Sequence, residues 1–86
     1  MGSYRIELSR SAEKDLRRID RAKVATVYRA LEKLSDDPRP HGFKKLVGSD
    51  RACRIRVGDY RVVYEIEDEV LVVLVIRVAH RKDVYR

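Results

Sequence analysis

The residues with the clearest chemical potential are arginines on two strand-like segments in the second half of the chain. Arg54 and Arg56 alternate with apolar residues, and Arg61 follows a short Gly58-Asp59 break. A two-residue turn at that break would pair Arg56 with Arg61 and place Arg54 on the same face. Like charges directly opposite each other destabilise a sheet by up to about 1 kcal/mol. Because stability alone does not favour this arrangement, we expect the three arginines to form an anion site.

Nearby carboxylates offer an alternative explanation for the same cluster. Asp59, Glu65 or Glu67 could neutralise the arginines in surface ion pairs, which commonly contribute little to stability. Glu65 shares the predicted arginine face, but it lies four residues from Arg61, about 13 Å along the strand. An anion is therefore favoured as the partner, with a merely solvated face as the other interpretation.

The C-terminal ten residues add a second group of side chains that suit RNA. Guanidinium groups bind phosphate in a bidentate manner, and aromatic rings stack on unpaired bases. His80 is the one histidine of the group, and histidine is the residue type whose ordinary pKa lies nearest neutrality. Tyr85 could instead serve as an apolar plug for the chain end. The group consists of Arg77, His80, Arg81, Lys82, Tyr85 and Arg86.

Composition bounds the chain to one small basic domain, residues 1–86, with a formal net charge of +6. Residues 39–61 hold seven basic against two acidic side chains, so a polyanion is the natural partner of this part. The longest uncharged apolar run, Val70–Ile76, is far too short for the roughly 20 residues of a membrane helix. We therefore expect no membrane partner.

The single cysteine bears on compartment and on metal binding. Cys53 cannot form an internal disulfide, and the N-terminus lacks the layout of a signal peptide, so a reducing cytoplasm is expected. His41 and His80 could join Cys53 around a metal, but their spacing matches no zinc pattern. We expect no metal and no cofactor, and Cys53 as a small buried apolar residue.

Hydrophobic periodicity predicts an α+β fold that positions these groups. An N-terminal strand is followed by a helical hairpin, and then by a three-stranded antiparallel meander, which together form one small sheet with the helices on one face. Ser9 or Ser11 caps the first helix, and the second must end before Asp37-Pro38. The last strand is apolar on both faces, which favours a central position. Predicted strands are 4–8, 52–57, 60–67 and 70–79, with an exposed basic loop from Pro38 to Gly48.

Four stretches resemble the RelE/ParE toxin superfamily and together cover nearly the whole chain. Gly-Asp-Tyr-Arg with a distant His-Arg-x-x-x-Tyr ending is the most specific combination. The stretches are Ser9–Leu16 after an opening strand, Lys44–Gly48 (Lys-Lys-Leu-x-Gly), Arg54–Tyr64 (Arg-Ile-Arg-Val-Gly-Asp-Tyr-Arg-Val-Val-Tyr) and His80–Tyr85 (His-Arg-Lys-x-Val-Tyr).

The resemblance implies a small toxin that is held by a helical antitoxin. For RelE-like members it further implies endonucleolytic cleavage of messenger RNA in the ribosomal A site, and hence inhibition of translation. ParE-like members share the fold but inhibit DNA gyrase without a complete catalytic set. The combination of Arg61, Arg81 and Tyr85 favours the nuclease, with the gyrase inhibitor as the alternative.

Roles follow from the matched positions. Arg56, Arg61, Arg81 and Tyr85 are the predicted catalytic residues. Arginines stand at 54 and 56 where well-studied members have lysines, and an arginine cannot act as a base. Tyr85 would then take the 2′-hydroxyl proton in a metal-independent reaction. Because this is a weak acid-base set, we expect reliance on the ribosome to orient the RNA. The predicted substrate-binding residues are Lys44, Lys45, Arg54 and His80, with His80 also a possible acid.

Overall fold

The computed structural model describes residues 3–83 and has an α+β fold, as predicted. Two helices cover one face of a five-stranded sheet with the strand order β1-β5-β4-β3-β2. Strand β1 runs parallel to β5, and all other neighbours are antiparallel. The elements are β1 (Arg5–Leu8), α1 (Arg10–Arg18), α2 (Arg21–Asp36), β2 (Lys44–Lys45), β3 (Ala52–Val57), β4 (Tyr60–Glu67), β5 (Val72–His80) and a 3₁₀ turn (Arg81–Asp83).

The sheet has one strand more than predicted. Lys44 and Lys45 lie within the predicted loop, but they pair with Arg54 and Cys53 as the edge strand β2. Two residues are too few to show the alternation by which a strand is recognised in sequence. The last strand also begins later than predicted, because a turn that includes Leu71 in the left-handed region, φ 54°, precedes it. Its central position between β1 and β4 is confirmed.

The helices begin and end where local chemistry requires. The Ser9 hydroxyl accepts a hydrogen bond from the Ala12 N–H at 3.0 Å and donates one to the Ile76 carbonyl at 2.7 Å, so Ser9 rather than Ser11 is the cap of α1. Helix α2 ends at Asp36, because Asp37 precedes proline and has an extended backbone, φ −148°. The predicted helical hairpin is confirmed.

The core lies between the helices and one face of the sheet. Tyr64 is fully buried there, and its hydroxyl donates to the Pro38 carbonyl at 2.7 Å. Tyr28, the residue after Val27 on α2, is 46% exposed. The sheet's second face is left uncovered by the helices, and it carries the predicted arginines. The helices contribute Ala12, Leu16, Val27, Leu31 and Leu34 to the core, and the strands contribute Cys53, Ile55, Val62, Tyr64, Val73, Val75 and Val78.

Within residues 3–83, no helix is long and apolar enough to cross a membrane.

Candidate nucleic-acid interface

The uncovered face of the sheet carries four basic side chains at one end, which we call the cationic face: Lys44, Arg54, Arg56 and Arg61. Arg56 is directly opposite Arg61, and Arg54 is directly opposite Lys44 on its other side. Residues directly opposite each other have Cα atoms about 4.5–5.5 Å apart. The predicted arginine register is confirmed, and it concentrates four positive charges on three adjacent strands.

The β3–β4 turn fixes this register. Gly58 has a φ of 60°, whereas Asp59 does not have a positive φ, which is the pattern of a two-residue type II′ turn. Only glycine adopts the first position of this turn without strain. Val57 therefore pairs with Tyr60, and Arg56 with Arg61, as predicted from the sequence.

The four cations differ in exposure. Arg61 is 6% exposed, Arg54 is half-buried, and Arg56 and Lys44 are exposed. Among the residues that the structure describes, none forms an ion pair or hydrogen bond with the side chain of Arg54 or Arg56. The suggested neutralisation of these two arginines by nearby carboxylates is therefore not seen. The arrangement can supply one fixed and several exposed positive charges to an anion.

Arg81 is tied to the same end of the sheet. It begins the 3₁₀ turn after β5, and its backbone N–H donates to the Asp59 carbonyl at 2.7 Å. This bond attaches the tail to the β3–β4 turn, beside the Arg56–Arg61 pair. The side chain of Arg81 is exposed. The structure thus brings the backbone of a fourth arginine, from a distant part of the chain, to the end of the sheet that carries the Arg56–Arg61 pair.

His80 lies on the helix side of the sheet, away from the cationic face. It pairs with Tyr60, while its neighbour Ala79 pairs with Arg61, and successive residues point to opposite faces. The His80 ring contacts Tyr60 edge to face, with centroids 5.3 Å apart, and its Nδ1 accepts a hydrogen bond from the Lys82 N–H. The structure therefore does not bring the predicted acid together with the arginines.

The other predicted residues are placed as follows. Lys45 is exposed on β2 opposite Cys53. It directly follows Lys44 in the strand, so it does not lie on the cationic face. Cys53 is buried, and burial raises the pKa of its thiol, which fits the predicted apolar role. Tyr85, the predicted proton acceptor, lies outside the described residues.

Asp15 is a positioning residue that the sequence did not indicate. Its carboxylate accepts hydrogen bonds from the Arg77 guanidinium and from the Val78 N–H, both at 2.8 Å. It holds the free edge of β5 beyond the end of β1 and pairs with Arg77. The contact joins residues more than 60 positions apart, so no local pattern could have revealed it.

A groove of about 690 Å³ lies beside the cationic face, between α2 and the outer edge of β3. Leu34, Ile55 and Val57 give it an apolar floor, and Arg56 reaches its rim. Strand β2 pairs with β3 only as far as Arg54, so in the described part of the chain Ile55–Val57 has no strand on that side. Across residues 3–83, no three His, Cys, Asp or Glu side chains are grouped so that they could hold a metal ion.

Comparison with known proteins agrees with this architecture. Toxin RelG of Mycobacterium tuberculosis is 36% identical over an alignment of 87 positions, and the match covers 96% of this chain and 97% of RelG. The crystal structure of the M. tuberculosis toxin–antitoxin complex RelBE2 superposes with a TM-score of 0.81 at 31% identity, covering 96% of this chain and 97% of that one. Isolated Escherichia coli RelE gives a TM-score of 0.79 at 28% identity, covering 91% and 84%.

A family model described as the ParE toxin of the type II toxin–antitoxin system parDE matches residues 6–85. The match includes both strands of the arginine hairpin and the tail that follows β5. The resemblance predicted from the sequence is confirmed. The chain belongs to the ParE toxin family of type II toxin–antitoxin systems, within the RelE/ParE toxin superfamily.

Proposed function

We propose that this toxin is a cytoplasmic endoribonuclease of the RelE type. It cleaves messenger RNA in the ribosomal A site and so inhibits translation. The observation that carries the proposal is the Arg56–Arg61 pair on the uncovered face, with Arg81 attached to the same end. A gyrase inhibitor would need an interaction surface, but no cluster of phosphate-binding groups. The relative and structures named above carry the names RelG, RelBE2 and RelE, whereas the family model carries the ParE name.

The proposed reaction is transesterification without a metal. The ribose 2′-hydroxyl loses its proton and its oxygen attacks the adjacent phosphorus while the bond to the 5′-oxygen breaks. The leaving 5′-oxygen takes a proton from water, which gives a cyclic phosphate and a free 5′-hydroxyl. Arg56 and Arg61 stabilise the charge that develops on the phosphorane oxygens. Arg81 holds the scissile phosphate and the leaving oxygen. Tyr85 remains the predicted acceptor of the 2′ proton.

Dependence on the ribosome follows from the acid-base chemistry. Arginines keep their protons at ordinary pH, and His80 faces the helix side. The cationic face consists of three arginines and one lysine and includes no histidine. Such a site gains most from a partner that fixes the RNA in a reactive geometry, because orientation can supply several kcal/mol of a reaction barrier. The toxin should therefore cut free RNA slowly and ribosome-bound message much faster.

A cognate antitoxin is the expected protein partner, since RelBE2 is a complex of toxin and antitoxin. We propose that an acidic, amphipathic segment of the antitoxin occupies the groove between α2 and β3. The apolar floor and the unpaired edge of Ile55–Val57 would give it burial and backbone hydrogen bonds. A segment seated there would cover Arg56 and block access to RNA.

The test is induced expression followed by mapping of messenger RNA 5′ ends, with Arg56→Ala and Arg51→Ala as a matched pair. Both arginines are exposed, but Arg51 precedes β3 and lies outside the cationic face. Loss of one group that stabilises the transition state typically costs about 10²–10³ in rate. We expect that loss for Arg56→Ala and near wild-type cleavage for Arg51→Ala.

Suppression of the cleavage by the co-expressed antitoxin is a second expected result. Growth arrest with intact messages and induced DNA-damage signalling would overturn the nuclease in favour of the gyrase inhibitor. Cleavage by Arg56→Ala at the wild-type rate would remove Arg56 from the site.

A further inference from the structure

A second basic surface lies on the outer side of α1, opposite the buried side chains of that helix. Ala12 and Leu16 are buried against the sheet, whereas the basic side chains project the other way. At 100° per residue, those basic side chains fall within about 100° of arc. We call them the α1 stripe: Arg10, Lys14, Arg17 and Arg18, all exposed.

Helix stability does not account for the α1 stripe. Arg10 occupies the first turn, where the helix dipole disfavours positive charge by about 0.3–1 kcal/mol. Arg10 and Lys14 are four residues apart, as are Lys14 and Arg18, and like charges at this spacing are destabilising. Arg17 and Arg18 lie in the last turn, where the dipole favours positive charge, but Arg10 and the two like-charged pairs run against the electrostatic preference of the helix.

Local carboxylates do not neutralise the α1 stripe. Glu13 lies at its border, yet no ion pair joins it to a described residue. The Asp15 carboxylate accepts hydrogen bonds from the Arg77 guanidinium and the Val78 N–H. Within residues 3–83, no acidic side chain pairs with any of the four cations.

We propose that the α1 stripe binds the phosphate backbone of folded ribosomal RNA and so orients the toxin while the cationic face engages the message. This inference rests on the proposed function. The four cations span all nine residues of α1, about 12 Å from the first to the last, which is enough to reach more than one phosphate. The two basic surfaces lie on opposite sides of a molecule of 32 × 30 × 25 Å. RNA can therefore contact both surfaces at the same time.

The chemistry of the α1 stripe favours RNA over an acidic peptide. Its four members are all charged. Of the exposed large apolar residues among those described, Tyr28 lines a small pocket with Arg17 at the border of the stripe, whereas Val47, Val70 and Leu71 lie elsewhere. A peptide that folds on binding needs apolar burial to offset its loss of entropy. A phosphate backbone is bound through charge and counterion release alone. The groove beside β3, with its apolar floor, suits the peptide better.

The test compares Lys14→Gln/Arg17→Gln with the control Lys23→Gln/Arg51→Gln. Each double variant removes one lysine and one arginine from exposed positions, so the net charges are equal. Binding to ribosomes is measured over a range of salt concentrations, and cleavage is measured on programmed ribosomes and on a free oligonucleotide. The thermal midpoint and the affinity for the antitoxin are measured in parallel.

The α1 variant should bind ribosomes at least about tenfold more weakly, with a salt slope reduced by about 1.5, as expected for two lost phosphate contacts. Its cleavage of the free oligonucleotide, its thermal midpoint and its antitoxin affinity should match the control. Equal ribosome binding by the two variants would overturn the proposal, as would a loss confined to antitoxin binding. If wild-type toxin binds ribosomes through α1 but cuts no message, the proposed nuclease fails while this inference stands.

Discussion

Arg56 and Arg61 face each other across a hairpin although like charges repel at that separation. Arg56 is exposed and can move to meet a ligand, whereas Arg61 is 6% exposed and is held by its surroundings. A planar guanidinium donates to two phosphate oxygens at once, which a lysine ammonium does not do in a fixed geometry. The pair is therefore suited to binding an anion and not to transferring protons.

Tyr64 provides a prediction about single residues. Its hydroxyl is buried and donates to the Pro38 carbonyl at 2.7 Å, so Tyr64→Phe should lower the free energy of unfolding by about 1–2 kcal/mol. Burial raises the pKa of Tyr64 above its ordinary value of 10. As the pH rises, the unfolded chain therefore loses the phenol proton before the folded one does. The difference in free energy of unfolding between wild type and Tyr64→Phe should become smaller above pH 10.

Denaturant unfolding of both proteins between pH 7 and 11 measures this effect. Tyr28→Phe is the control, because Tyr28 is exposed and should show neither effect. A constant difference between wild type and Tyr64→Phe across the range would contradict the pH argument.

The β3–β4 hairpin is the element that builds the site. Its turn sets the arginine register, and the Asp59 carbonyl also accepts the hydrogen bond that attaches Arg81. One short turn therefore aligns catalytic candidates from two strands and from the tail. Arg61 and Arg81 are 20 residues apart in sequence, yet the turn brings their backbones to the same end of the sheet.

Substitution of Gly58 tests the turn. A Cβ at this position would meet no atom within 4 Å, so the cost of Gly58→Ala comes from the backbone alone, at a φ of 60°. We expect a loss of about 1 kcal/mol in the free energy of unfolding, together with weaker RNA cleavage. Urea unfolding measures the first effect. Asp59→Ala, at a position without positive φ, should be close to wild type. An unchanged urea midpoint for Gly58→Ala would show that the turn tolerates a side chain.

At the scale of the whole molecule, Asp68 joins three distant segments. It lies in the β4–β5 turn and accepts hydrogen bonds from the Tyr4 hydroxyl at 2.6 Å and from the Arg39 guanidinium at 2.8 and 3.2 Å. Tyr4 precedes β1, and Arg39 follows α2. These contacts close the end of the sheet opposite the cationic face, and so they can be tested independently of RNA binding.

Asp68→Asn should lower the thermal midpoint at pH 7. The hydrogen bonds from Arg39 and Tyr4 lower the pKa of Asp68 from 3.8 to about 2. A folded-state pKa below the unfolded value stabilises the protein above the unfolded value, and this stabilisation is lost as the pH falls through the folded value. The difference in thermal midpoint between Asp68→Asn and wild type should therefore become smaller as the pH falls from 4 to about 2.

Calorimetry across that range measures the difference. Glu69→Gln, an exposed neighbour outside these hydrogen bonds, should leave the thermal midpoint unchanged at neutral pH. A difference between wild type and Asp68→Asn that persists undiminished at pH 2 would contradict the assigned role of the carboxylate.

Local interactions made much of this fold predictable from the sequence. The bounds of β3 and β4, their register, the Arg56–Arg61 pair and the end of α2 before Pro38 were all predicted and are confirmed. Each depends on residues a few positions apart: a two-residue turn, a period of two, or a proline that excludes helix.

Tertiary structure decided what depends on distant contacts. The pairing of Lys44 and Lys45 with β3 and the bonds of Asp15 to β5 have no local signal. The face of His80 depends on a bulge at Ile76: Tyr64 pairs with Val75, but Val63 pairs with Arg77. One extra residue reverses the direction of every side chain that follows it in a strand. Strict alternation from Val75 would point His80 towards the arginines, and the bulge turns it to the helix side instead.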